Sequence, residues 1–269
     1  MEFDRFKEII INNRIYDDEV KVAVSEFYDK INCSYVDIPK LMKEIGSKLD
    51  VTVIEIPMKD SDFGAFFLNT SYSKYLLLNS NQPRSKMYFS FCHDIYHVLK
   101  DNGSSSNINE KREVHLNSDY TASPTECKAS LFAANLMMPE KEFRTMYALY
   151  KESEKAGYLE NIVLKLINYF NSPFIAVLIR LFELQILDNL KDVKEFLPIS
   201  DDDLKQKLNK LWINDEIITP TLNDEMNYVF DKLEQEASKL ISEELLSEYS
   251  YNKIVERIKY FYNKVLLND

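Results

Sequence analysis

The sequence predicts an α+β fold that is mostly helical, with one small three-stranded sheet. Three observations carry that reading. Only 4 Gly and 8 Pro occur in 269 residues, beside many Leu, Ile, Lys and Glu, which favour helix. Three short β-rich runs follow one another at Val51–Ile56, Gly64–Asn69 and Tyr75–Asn79. Two further runs have the apolar spacing and end signals of packed helices. A hydrophobic content of 45% supports packed cores and excludes global disorder. The length allows one large or two modest domains.

Taken in order, residues 1–30 read as helix, with Phe6, Ile9 and Ile10 as an apolar patch. Lys40–Lys48 is the next helix, capped near Asp37. Pro57 ends the first strand, and Ser71-Tyr72-Ser73-Lys74 turns between the second and third. The last strand is expected at the sheet edge, where a peptide could lie as an added strand.

Phe91-Cys92-His93-Asp94-Ile95-Tyr96-His97-Val98-Leu99 then places two of the three histidines four residues apart in a helical run. Positions i and i+4 share a helix face, so both imidazoles can reach one metal ion, and a carboxylate beside the first could activate its water. The spacing alone leaves open a blander reading, two histidines in ordinary hydrogen bonds. A third ligand comes from the next helix, Thr125 to Pro139. Ser123 is its expected N-cap, Pro124 suits an early helical position and Pro139 ends it. Ala129, Phe132, Ala133, Leu136 and Met137 form its apolar face, and the small alanines admit a neighbouring helix. Glu126 starts that face and can point at His93 and His97.

These residues resemble the ImmA/IrrE family of metallopeptidases, which carry HExxH on one helix and E-x-x-A-x-x-F-A-x-x-L-L-M-P on another some thirty residues on. The chain keeps Glu126, Ala129, Phe132, Ala133, Leu136, Met138 and Pro139, with Met137 in place of one Leu. Phe89-Ser90-Phe91-Cys92-His93 is similar to the family's F-T-L-A-H, and the segment from Val36 to Ile54 is similar to its opening helix and strand. The resemblance spans roughly residues 30–190. It implies a zincin-like layout, a small sheet beside two metal helices, with His93, His97 and Glu126 as zinc ligands. Asp94 then stands where the family has the glutamate that takes a proton from the attacking water. Aspartate is one methylene shorter, which sets its carboxylate back by about 1.5 Å; a misplacement near 1 Å can cost on the order of a hundredfold in rate. A working peptidase, a slow or selective one and a metal-binding pseudoenzyme all stay open.

Nearby residues have plainer readings. Cys92 and Cys127 adjoin His93 and Glu126, but helix neighbours point about 100° apart, so both read as small buried residues. Tyr96 reads as packing. His115 lies in a polar stretch and reads as a surface residue. The Asp101–Asn107 loop is a connector that could line a substrate cleft.

Ile162–Leu187 looks like two helices joined at Asn171-Ser172-Pro173, helix-turn-helix-like in form and similar to a stretch of the family. Its second helix offers only Arg180, Glu183 and Gln185 amid apolar residues, too little to read bases, so packing is expected there. Residues 191–269 hold 11 Lys+Arg against 17 Asp+Glu, −6 of the chain's −11. Met226, Phe230, Leu233, Ala237 and Leu240 form a coiled-coil-like seam; Ile254, Ile258, Phe261, Tyr262 and Val265 mark a last helix. This acidic extension is read as a hairpin folded back on the core or as a docking surface. The division expected is a peptidase domain at 1–145, the helix-turn-helix-like segment at 146–190 and the extension at 191–269.

The acidic balance disfavours direct DNA binding. Three cysteines, Cys33, Cys92 and Cys127, lack framework spacing and fit a reducing cytoplasm. No signal-peptide pattern and no 18-residue apolar run is present. The sequence is therefore read as a cytoplasmic zinc-dependent endopeptidase. By the resemblance, its protein substrate is a helix-turn-helix repressor of a phage, mobile element or stress response. The alternative is a catalytically weak or inactive metal-binding regulator that acts by protein–protein binding.

Overall fold

The computed structural model describes residues 3–32, 37–70, 73–100, 123–154, 158–194, 197 and 199–266. Cys33, the Ser71-Tyr72 turn, the Asp101–Asn107 loop and His115 lie outside the described residues. The fold is α+β and mostly helical, with α1 (Phe3–Ile31), α2 (Ile38–Leu49), β1 (Val51–Ile56), β2 (Ala65–Asn69), β3 (Lys74–Asn79), α3 (Arg84–Lys100) and α4 (Pro124–Met137) in its first half. The second half runs α5 (Glu140–Ser153), α6 (Leu159–Phe170), α7 (Phe174–Glu183), α8 (Lys191–Lys194), α9 (Asp201–Lys210), a 3-10 turn (Asp215–Ile218), α10 (Met226–Ser242) and α11 (Glu248–Val265).

Local chemistry explains the boundaries that matter for the site. The Asp37 carboxylate accepts from the Lys40 N–H at 3.1 Å and starts α2. Gly46 lets α2 lie on β1: a Cβ there would stand 3.0 Å from the Val51 carbonyl oxygen.

The sheet order is β1-β3-β2, with β1 parallel and β2 antiparallel to β3. This corrects the expectation that the last strand is an edge: β3 is central and has no free edge for a peptide. Its unbroken Tyr75-Leu76-Leu77-Leu78 run suits a strand covered on both faces. Val51, Ala65, Phe67, Leu76 and Leu78 face the main core, which α1, α3, α4, α6 and α7 share. Ile54, Ile56, Tyr75 and Leu77 face the other way, onto Met226, Phe230, Ile258 and Tyr262 of the acidic extension. The extension thus folds back over the second face of the sheet. It is fastened by main-chain bonds: Leu222 N–H to the Ser80 carbonyl (3.0 Å), Glu225 N–H to the Glu55 carbonyl (2.9 Å) and Lys59 N–H to the Val265 carbonyl (2.8 Å).

Helices α6 and α7 meet at 106°, joined through Asn171 in the left-handed region (φ 51°). Arg180, the one basic side chain of α7, is buried. It donates to the Met138 carbonyl (3.2 Å), Asn135 Oδ1 (2.8 Å) and Glu183 Oε2 (3.0 Å), while Asn13 donates to Glu183 Oε1 at 2.6 Å. This polar network ties α1, α4 and α7 together. Among the described residues no single helix is long and apolar enough to cross a membrane.

Candidate metal centre

Helix α3 is buried on every side along Phe89–Val98, and its interior positions include the polar His93, Asp94 and His97. Burying so many polar groups is costly unless each has a partner. Helix α4 comes close because Ala129 and Ala133 are fully buried and small. The Ser123 hydroxyl accepts from the Glu126 N–H at 3.2 Å, which fixes the first turn of α4. Ser123 and Glu126 have the spacing of a capping box, in which the glutamate turns back to the cap. Here its carboxylate turns instead to α3.

The result is a tight cluster of donor atoms. His93 Nε2 lies 2.9 Å from Glu126 Oε2, His97 Nε2 lies 3.4 Å from Glu126 Oε1, and the two Nε2 atoms are 3.3 Å apart. Ligands at about 2.0–2.1 Å from a tetrahedral ion are separated by about 3.3 Å, so the set is compact enough to hold one metal ion. Burial lowers the pKa of His93 and favours the neutral imidazole that binds metals. Burial alone would raise that of Glu126, but hydrogen bonds from His93 and His97 hold it well below the usual carboxylate range.

Asp94 is buried on the same turn, and its carboxylate lies within 4.8 Å of ligand atoms of His93 and His97. It could itself serve as a ligand. Glu126 stands 2.9 Å and 3.4 Å from the Nε2 atoms of His93 and His97, so both acids lie beside the histidine pair. All four residues singled out in the sequence therefore meet at one place. Cys92 and Cys127 are buried and in no disulfide among the described residues, and burial raises both thiol pKa values, so neither is poised to react. Tyr96 packs on Phe132, ring centroids 5.6 Å apart.

Sequence reasoning missed Ser130, whose hydroxyl stands 3.1 Å from His93 Nδ1. A partner at Nδ1 orients the ring and leaves Nε2 to face the other donors. The signal was present: Ser130 is one turn beyond Glu126, on the same face of α4.

Two histidines on one helix and a carboxylate from its neighbour, beside a small sheet, make up a metallopeptidase-like domain. Residues 47–182, just over half of the chain, match the family model of the IrrE N-terminal-like domain, peptidase M78. The chain belongs to that family. A search of curated proteins finds no significant match.

Proposed function

We propose that this chain is a zinc-dependent endopeptidase of the cytoplasm that regulates transcription by cleaving a helix-turn-helix repressor. The observation that carries the metal assignment is the meeting of His93 Nε2, His97 Nε2 and Glu126 within 2.9–3.4 Å of one another. Zinc held by these three residues would polarise a scissile carbonyl and acidify a water. Ser130 and Glu126 set the two sides of the His93 ring. With the metal bound, Asp94 would be the group to accept the water's proton and return it to the leaving amine, as a buried carboxylate beside the ligands can. The family supports the regulatory, metallopeptidase-like part of this reading. The burial of Arg180 supports packing, rather than base reading, for α6 and α7.

A second reading rests on one residue. Asp94 is a methylene shorter than the family's glutamate, which favours a metal-binding regulator with little catalysis. The experiment is zinc content by mass spectrometry together with co-expression of a repressor encoded by a neighbouring gene. Near one zinc per chain is expected, lost in Glu126→Ala. Two repressor fragments are expected, absent in Glu126→Ala and Asp94→Asn. Fragments that persist unchanged in both variants would remove the proposed site. Zinc without cleavage, with cleavage appearing in Asp94→Glu, would establish the second reading.

A further inference from the structure

A cavity of about 150 Å³ lies among α1, α3, α4, α7 and α9. Its wall is mainly apolar, built from Ile9, Phe89, Ala134, Phe174, Ile179 and Leu204. The charged and amide groups on the wall are engaged with one another. Asn13 donates to Glu183 at 2.6 Å, and Lys86 pairs with Asp201 at 3.2 Å. Lys86 and Asp201 are partly exposed and mark the mouth. Two hydroxyls complete the wall. Ser85 is buried, and its hydroxyl makes no hydrogen bond among the described residues. Ser130, a wall residue, stands 3.1 Å from His93 Nδ1, so one serine separates the cavity from the side of the His93 ring that faces away from Glu126.

We propose that this cavity binds a neutral, mainly apolar molecule the size of one substituted aromatic ring, with a hydroxyl directed at Ser85, and that its presence is felt at His93 through Ser130. Protein interiors are close-packed and leave few voids larger than a water. A cavity of about 150 Å³ is large enough to take a benzene-sized molecule. An ionised ligand is excluded because the wall offers no unengaged opposite charge, and an unpaired charge is expensive to bury. Ser130 cannot shift toward a ligand without loosening the one hydrogen bond that orients His93 from behind. Binding itself does not depend on the metal reading; the effect on His93 rests on it.

The test uses the full chain, metal-free and labelled with ¹⁵N, titrated with p-cresol, toluene and benzoate. Saturable shifts from p-cresol and toluene are expected, centred on Ser85, Phe89, Ala134 and Ile179, with none from benzoate at the same concentration. Ala176→Phe, which fills the cavity from α7, is expected to abolish them. Ala134→Leu provides a second filling variant if the first fails to fold. No saturable shift from p-cresol or toluene in folded protein overturns the proposal. So does equal binding of benzoate, or binding that persists in both filled variants. Zinc affinity is then measured with and without saturating p-cresol. A change of threefold or more, lost in Ser130→Ala, is expected; equal affinities overturn the coupling. Failure to bind zinc in either state would sink the metal reading and the coupling with it, while the metal-free titration decides the cavity on its own.

Discussion

Helices α3 and α11 are nearly equal in length, 17 and 18 residues, and the fold treats them in opposite ways. Most of α3 is buried, including two histidines and an aspartate, whereas no residue of α11 is buried. Phe261 and Val265 of α11 are about half exposed, at 52% and 44%. The contrast separates two ways of holding a helix. Along Phe89–Val98 every side of α3 meets protein, and the partners that His93 and His97 find there form the candidate site. In α11 Ile258 and Tyr262 pack with the outer face of the sheet, Tyr251 and Val255 are half-buried, and the other side chains are exposed. Position in the fold, more than helix length or apolar content, decides where a substitution is felt.

The largest break in this comparison should come from the buried network beside α4. Arg180→Ala leaves Glu183 buried without its charged partner, and loss of one member of such a pair costs about 3–5 kcal/mol. Urea unfolding should show that loss; a change below about 1 kcal/mol would mean that the interior relaxes far more than this packing allows.

A smaller effect of opposite sign is expected in the extension. Trp212 sits just past α9 with φ 57° and 96% exposure, where the Ile213 N–H returns to the Leu208 carbonyl at 3.0 Å. Glycine is the favoured residue at that position of a helix end. Trp212→Gly should therefore stabilise the chain by about 0.5–1 kcal/mol, because it removes the left-handed penalty without removing a buried contact. A loss of stability in thermal unfolding would show that Trp212 packs against something in the folded state.

The smallest effect is expected on α11 itself. Phe261→Ser should alter stability by less than about 0.5 kcal/mol, as surface changes do. A loss near that of a core phenylalanine, about 3–5 kcal/mol, would show that α11 is covered in the folded state.

The contrast also explains what could be read from the sequence. Local signals were legible wherever one residue fixes one boundary: Asp37 before α2, Ser123 and Pro124 opening α4, Asn171 between α6 and α7. The meeting of the candidate residues was legible because helix periodicity sets it, His93 and His97 one turn apart and Glu126 at the start of a face marked by Ala129 and Ala133. Strand order was not legible, since pairing β1 with β3 skips β2 and depends on tertiary contacts that local pattern does not encode. The uninterrupted apolar run of β3 was the available hint. A hairpin folded back on the core was one of two readings of the extension, but the surface it covers could not be read, because Met226, Phe230, Ile258 and Tyr262 need the outer face of the sheet to explain them. The His93–Ser130 contact was overlooked although Ser130 lies one turn beyond Glu126, because one serine on a helix reads as an ordinary polar residue until its neighbour is known.

Glu225 caps one rung of the outer edge of the sheet. Strand β1 is an outer strand, and its Glu55 N–H and carbonyl point away from β3. Glu225 takes both, the carbonyl with its own N–H and the N–H with its carboxylate at 2.8 Å. A second chain seeking to pair with β1 meets a negative charge at the rung where the ladder would continue, one of the ways proteins blunt an exposed strand. A chain cut after residue 190 would lose that charge and uncover Ile54, Ile56, Tyr75 and Leu77 together, leaving a sticky strand beside a bare apolar face.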